Sequence, residues 1–251
     1  MKRRATLVSS FAGLVMFFGL WQIFSLIVNR PILPSPVEVV PLFFRNIITG
    51  DLGLHFLASA ARVLAAILIA TLLAAPLGLA LGQMPKVDRV VGPLIALIYP
   101  IPKIIFLPVI YVLMGITDLS KITLIAIIIF FQILVVVRDE AAGLKKELIL
   151  SVKSLGAGRR ALFRYVYLPA SIPAVLTALR VSVGTAVAVL FIAEQSLTSY
   201  GLGYYIVIET YQVLLYPEMY TGIMGMGVLG VLLYFGIYSI ELKVSRHMFI
   251  E

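Results

Sequence analysis

Lys103 and Arg180 each interrupt an otherwise uncharged apolar run, and Glu194 closes the run that holds Arg180. Ionisable side chains in such surroundings are expensive and are by default functional positions. The chemistry that two cations could do there is to draw an anion into a polar pathway. The structural alternative stands beside it: an Arg that pairs with a carboxylate such as Glu194 or with carbonyls freed near the prolines. Arg180 lies about 11 residues past Pro169, roughly 16 Å along a helix and near mid-depth of a bilayer. Lys103 is similarly deep if its run is regular.

Other chemistry is excluded. No cysteine is present, so there is no disulfide, thiol nucleophile or cysteine metal site. His55 and His247 are far apart in the chain and are expected outside the spans on opposite sides of the membrane. That removes a histidine metal cluster and any Ser/His/Asp set. No G-x-x-x-x-G-K-[ST] phosphate loop occurs. The expectation is no catalytic residue and no metal, with energy for any work supplied by a partner or an ion gradient.

A different kind of spacing marks Ser154 to Pro169, a polar, basic interval between long apolar runs. Before it, Leu148, Val152 and Leu155 fall on one face of a short amphipathic helix, with Lys146 and Lys153 elsewhere. Gly156-Ala157-Gly158 breaks that helix. A second short helix carries Leu162, Tyr165 and Val166 on one side and Arg160 and Arg164 on another. Pro169 suits a bend or a helix start. Two short helices hinged on a glycine turn would suit docking of a partner.

The elements that must hold these residues are membrane spans. The chain is 61% hydrophobic and 13% charged, with a mean hydropathy of +1.08; soluble domains carry about 25% charged residues. There is room for about five to seven spans. The first runs from Ala5 to Asn29 behind Lys2, Arg3 and Arg4, too long for a signal-peptide core. Trp21 and Gln22 in it read as packing residues. Ser35-Pro36-Val37-Glu38 has a capping-box layout that starts a helix lying on the membrane, which Gly50 ends. A second span runs from Phe56 to Gln83. The third, Val90 to Gly115, is broken by Pro93, Pro100, Pro102 and Pro108. Such a break is tolerated only when buried in protein or lining a wet cavity, so it is either a pathway wall or a kinked packing helix. The fourth, Ile122 to Val137, is short, with Lys121 and Arg138 snorkelling at its ends. The fifth runs from Pro169 to Ala193. Glu194 to Tyr220 reads as an irregular external or re-entrant segment. The sixth, Thr221 to Ile240, has a smooth face of Gly222, Gly225, Gly227 and Gly230.

Basic residues cluster at the N-terminus, at Lys86 and Arg89, between Arg138 and Arg164, and at Lys243 and Arg246. The positive-inside rule puts these regions and both termini in the cytoplasm. The net charge of +8 then faces anionic lipid and not nucleic acid. No repeat or linker is evident, so residues 1–251 read as one domain with a cytoplasmic loop at about 138–168.

Gly156, nine residues, Val166, one residue and Leu168-Pro169 resemble the EAA loop of permease subunits of bacterial ABC importers. That pattern is Glu-Ala-Ala, three residues, Gly, nine residues, Ile, one residue, Leu-Pro. Val166 stands for Ile. The Glu-Ala-Ala half falls on Leu150-Ser151-Val152 and does not fit; the literal Glu140-Ala141-Ala142 is ten residues too early. The resemblance extends from Pro34 to about Gly203, including Glu194 ahead of a Gly-x-Gly, and is nearest to the nitrate, sulfonate, taurine and bicarbonate importers.

What this implies is an all-α membrane protein of the type I importer permease fold, with about six spans and a coupling helix over Leu148 to Ala157. Lys153, Ser154, Leu155, Gly156, Ala157, Val166, Leu168 and Pro169 would couple to an ATPase. Arg180, Lys103 and Glu194 are the pathway candidates. The family works as two permeases, here a homodimer, with two ATPases that hold ATP and Mg, and a periplasmic or lipid-anchored binding protein. It sits in the bacterial inner membrane. The implied solute is a small organic or inorganic anion, with neutral and cationic heterocycles left open. An ion-coupled carrier and a non-transporting scaffold also stay open; the lack of a mid-span Asp or Glu weighs against the first, the broken third span against the second.

Overall fold

A computed structural model describes the backbone of residues 2–144, 146–195 and 198–244, with side chains from residue 12 on except Lys146, Leu148 and Arg159. The expectations placed on the side chains of Lys2, Arg3, Arg4, Lys146 and Leu148, and on Arg246 and His247, lie outside the described residues. Among those described the elements are helical: α1 Lys2–Val28, α2 Pro36–Thr49, α3 Leu52–Gln83, α4 Pro85–Ile98, α5 Leu107–Met114, α6 Asp118–Ala142, α7 Lys146–Ser154, α8 Arg159–Leu162, α9 Leu168–Glu194, α10 Leu202–Tyr204 and α11 Tyr216–Val244. The fold is all-α, as expected.

α3, α6, α11 and the continuous helix Arg160–Glu194 are long and apolar enough to cross a bilayer. α4 and the stretch Lys103–Met114 form a pair bent by 80°, a broken span or a re-entrant loop, which makes a fifth crossing if the pair is one span. α1 adds a shorter apolar helix over Ala12–Val28, so among the described residues four of the six expected segments, or five with the broken pair, are long and apolar enough to span. Several boundaries differ from expectation: α3 begins at Leu52 and not Phe56, and α11 covers Tyr216–Val244 and not Thr221–Ile240; two others have a local cause. α6 begins earlier, at Asp118, because Thr117 and Ser120 cap it reciprocally. α9 does not begin at Pro169; α8 runs into it through a π turn at Phe163–Tyr167. Proline lacks a donor and its ring crowds the carbonyl four residues back. The wider π turn, with Leu168 N–H bonded to the Phe163 carbonyl, lets the helix pass Pro169 unbroken.

The chain forms two compact units. The unit of Ser59–Ala193 and Val228–Glu251 is packed by small and branched residues. Val63, Ala66, Ala70 and Ala74 on α3 follow a helical period and are buried, as are Ile125, Ile129, Ile133 and Val137 on α6. The opposite face of α3 shows Leu64, Leu68 and Leu72 outward. Lipid gives apolar side chains no reason to hide, so association rests on close packing. Gly78 and Gly82 supply it: a Cβ on Gly82 would lie 2.5 Å from the Arg138 carbonyl oxygen, and one on Gly78 2.8 Å from that of Leu134.

In the unit of Met1–Ala58 and Glu194–Gly227, Ser35 caps α2 by accepting the Glu38 N–H. α2 turns Val39 and Phe43 into the protein while Val37 and Phe44 stay exposed. Trp21 donates to the Pro34 carbonyl at 3.0 Å and stacks on Tyr220, a packing role as expected. The segment after Glu194 is irregular only in part: from Leu202 it is helical, α10 continuing as a π turn over Tyr205–Tyr211, with Leu202, Tyr205 and Ile206 buried. On α11 the smooth face is used in part. A Cβ on Gly222 would strike Ile206 and Tyr205, whereas one on Gly227 would meet nothing.

Candidate functional site

α7 ends at Ser154, whose hydroxyl donates back to the Ser151 carbonyl at 2.8 Å. The helix is shorter than the expected Leu148 to Ala157, so Leu155 belongs to the turn and not to a helix face. Gly156 closes that turn through its N–H to the Lys153 carbonyl at 2.9 Å, with φ +82, a conformation that suits glycine. Leu155 is 86% exposed. The space around Gly156 is empty. Lys153 and Ser154 are exposed beside them, and Ala157 is half-buried. Val166 is buried, as is Leu162, whereas Leu168 and Pro169 are exposed. The motif therefore divides into an outward tip, Lys153 to Ala157, and an inward anchor at Val166.

The broken span explains Lys103. A helix that stops inside the protein leaves carbonyls without partners. Lys103 follows Pro102 on a one-turn 3-10 helix, Lys103–Phe106, rather than on a regular span. Its ammonium donates to the carbonyls of Ile98, Tyr99 and Ile101 at 3.1, 2.9 and 3.2 Å and lies 4.5 Å from the centre of the Phe131 ring. All three of its donors are thereby used. Beyond the break, Tyr111 donates to the Ala193 carbonyl at 2.9 Å and ties α5 to α9.

Arg180 has a carboxylate partner, but it is Glu241 on α11 and not Glu194. The ion pair spans 2.9 Å, the guanidinium donates to the Tyr234 hydroxyl at 3.0 Å, and the Tyr234 and Tyr238 rings flank it. Thr177 donates to the other Glu241 oxygen at 2.7 Å. Glu241 is 4% exposed. Arg180 is a quarter exposed and Glu241 buried, so removing Arg180 strands the carboxylate at a cost below the about 3–5 kcal/mol of a fully buried pair, whereas replacing both by apolar residues is often neutral. Arg180→Ala is accordingly expected to lower the melting midpoint in detergent, and Arg180→Leu with Glu241→Leu to restore most of it. A double variant as damaged as the single would refute this structural role.

Glu194 is fully buried and accepts the Gly203 N–H at 3.1 Å. Gly203 is in the first turn of α10, where a carboxylate suits free N–H groups. His55 is not outside the spans as expected: it lies near the start of α3 and is buried. Its Nδ1 lies 3.1 Å from the Gly201 nitrogen and 3.2 Å from the Gly201 carbonyl oxygen, and its Nε2 faces Glu209 at 3.2 Å. Lys121 and Arg138 do not end the fourth span as free snorkelling groups. Lys121 is buried 3.9 Å from Asp118, and Arg138 grips Asp88 with two nitrogens, one at 2.7 Å. No group of three or more metal-ligating side chains occurs among the described residues.

Sequence reasoning passed over Glu241, Asp88, Gln132 and Thr185. A signal existed for one of them: Gln132 is the lone amide in the charge-free run Ile122 to Val137. It donates to Thr185 at 3.2 Å.

Comparison with known proteins adds four findings. The family model described as binding-protein-dependent transport system inner membrane component matches residues 66–248. The chain is 28% identical over 231 residues to the taurine transport system permease protein TauC of Escherichia coli (strain K12), covering 90% of this chain and 84% of the relative. It is 34% identical over 193 residues to a putative ABC transporter permease protein of Methanocaldococcus jannaschii, covering 74% and 72%. In architecture it is similar to a chain from the inward facing conformations of the MetNI methionine ABC transporter, with a TM-score of 0.63, 20% identity, and 77% of this chain and 95% of that one covered. That last likeness shows the fold alone: the all-helical permease fold of type I ABC importers.

Proposed function

The chain belongs to the family of binding-protein-dependent transport system inner membrane components, and from that premise we infer that it couples solute passage to a separate ATPase through the tip Lys153 to Ala157. It is a multi-pass membrane permease of the ABC importer class, which sets aside the ion-coupled carrier and the scaffold. The observation that carries the coupling role is the pairing of an 86% exposed Leu155 with Gly156 at φ +82, where an added Cβ would meet nothing within 4 Å. An exposed leucine on a polar, basic loop is costly in water unless a partner covers it. The bare glycine lets that partner approach the backbone. Buried Val166, with Leu168 and Pro169 on the same continuous helix, would carry the partner's movement into α9.

In this reading the chain forms one membrane domain that pairs with a second copy of itself. It lies in the bacterial inner membrane with both termini in the cytoplasm. A periplasmic or lipid-anchored binding protein delivers the solute, and ATP and Mg are held by the ATPase. Alternating access then moves a small anion such as taurine, sulfonate, nitrate or bicarbonate inward; the taurine relative and the family resemblance support that class. Lys103 and Glu194 enter the pathway as positioning residues, one holding the break open and the other setting the start of α10, and Arg180 as the link between α9 and α11. The test is affinity purification of the tagged chain in mild detergent. A stoichiometric ATPase is the expected result, and a preparation without one would refute the coupling role.

A further inference from the structure

We propose that the cavity at the break between α4 and α5 is a solute subsite for a small oxoanion group, in which Gln132 and Thr185 make the polar contacts and Lys103 supplies charge without touching the solute. The proposal rests on the permease reading above and adds the residues that would select the solute.

The cavity measures about 690 Å³ and is lined by Tyr99, Lys103, Phe131, Gln132, Thr185 and Ala188 among others. That volume lies within the usual range for small-molecule sites, and so does its make-up of mostly apolar walls with a few placed polar groups. Gln132 Nε2 donates to Thr185 Oγ1, while Gln132 Oε1 is buried without a partner. A buried polar atom left unmet is a standing cost; as an acceptor Oε1 calls for a donor such as water, and an oxoanion oxygen can satisfy that position only with the amide turned. The amide's two ends are interchangeable at this level of assignment. As placed, Thr185 accepts from Gln132 and keeps its own hydroxyl proton to give. With the amide turned, Thr185 donates to Oε1 and the NH₂ group is the one left to give. In both orientations the pair retains a donor for an incoming oxygen.

Lys103 decides the sign. Its three N–H bonds are spent on carbonyls, so it cannot also bind a solute directly. No carboxylate pairs with it among the described residues, and it remains only 8% exposed. The C-terminal end of α4 offsets about half a unit charge. The remainder is positive and acts across a low-dielectric space, where a partial charge is felt over several ångströms. An anion is favoured and a cation repelled. Gly184 on the α9 wall adds room, since a Cβ there would meet nothing.

The natural absence of cysteine allows a direct test. Gln132→Cys and Thr185→Cys each introduce a single thiol into this chain within the complete transporter in membrane vesicles. The probes are 2-sulfonatoethyl methanethiosulfonate, an anion, and 2-(trimethylammonio)ethyl methanethiosulfonate, a cation. Each rate is read as a mass shift on this chain and divided by that reagent's rate with a free thiol. The expected result is reaction at both positions with a preference for the anion of roughly tenfold, and a reaction slowed at Cys-bearing position 132 when Gly184→Phe fills the cavity. No reaction with either reagent, as for a lipid-filled groove, or equal normalised rates would overturn the proposal. Loss of the ATPase in the purification leaves this rate ratio unaffected, whereas an absent ratio with the ATPase retained removes the subsite alone.

Discussion

Gly156→Arg is expected to reduce ATP hydrolysis stimulated by the liganded binding protein to its basal rate and to bring ATP-driven uptake to background, while the chain still inserts and is recovered from the membrane. The side chain would project from a turn where nothing lies within 4 Å, so it disturbs no packing within the chain. It would instead stand in the space a docking partner must fill, next to the exposed Leu155. One complication comes from the backbone. At φ +82 any residue with a Cβ is strained, by roughly 1–2 kcal/mol. Asparagine tolerates that region best among the other residues, so Gly156→Asn carries the strain in reduced form and little bulk. Coupling above half the unmodified rate is expected for Asn. Normal coupling in the Arg variant would sink the docking role, whatever the Asn variant does.

The same loop shows what a linear reading can and cannot supply. The glycine turn is legible because Gly156-Ala157-Gly158 leaves little choice of backbone, and the broken third span because four prolines remove donors from one apolar run. The end of α7 at Ser154 and the passage of the helix through Pro169 are less legible. Both depend on local hydrogen bonds, the Ser154 back-bond and the π turn at Phe163–Tyr167, that compete closely with the regular pattern. Charges are the least legible. Arg180 finds Glu241 across 61 residues of chain and Arg138 finds Asp88 across 50, and no local pattern encodes such pairings. An apolar run with one cation announces that the cation has a partner; only the packing of α9 on α11 says which. Lys103 is an intermediate case. The prolines that create its free carbonyls lie within a few residues of it, so capping could be read locally although the expectation attached it to Arg180, and the ring of Phe131 beside it carries no such signal.

Gly201→Ala is expected to unfold the start of α10 and lower the melting midpoint in detergent by on the order of 10 °C, the equivalent of about 2–6 kcal/mol. Two costs combine. Gly201 has φ +126 and ψ 159, a region open in practice to glycine alone and costing other residues about 1–3 kcal/mol. In addition, a Cβ there would run into the carboxylate of Glu194, which is fully buried and cannot retreat to water. Overpacking of that kind costs about 1–3 kcal/mol. The geometry is needed because two donors must be delivered at once, the Gly201 N–H to His55 and the Gly203 N–H to Glu194. A less open backbone would withdraw one of them and leave a buried acceptor unmet. Gly227→Ala is the matching control. It lies in the interior of α11, its Cβ would meet nothing, and alanine favours a helix over glycine by about 1 kcal/mol, so its midpoint should hold or rise. A Gly201→Ala midpoint equal to that control would mean that the glycine and the carboxylate are not in contact, and with it the account of Glu194 as the group that sets the start of α10 would fail.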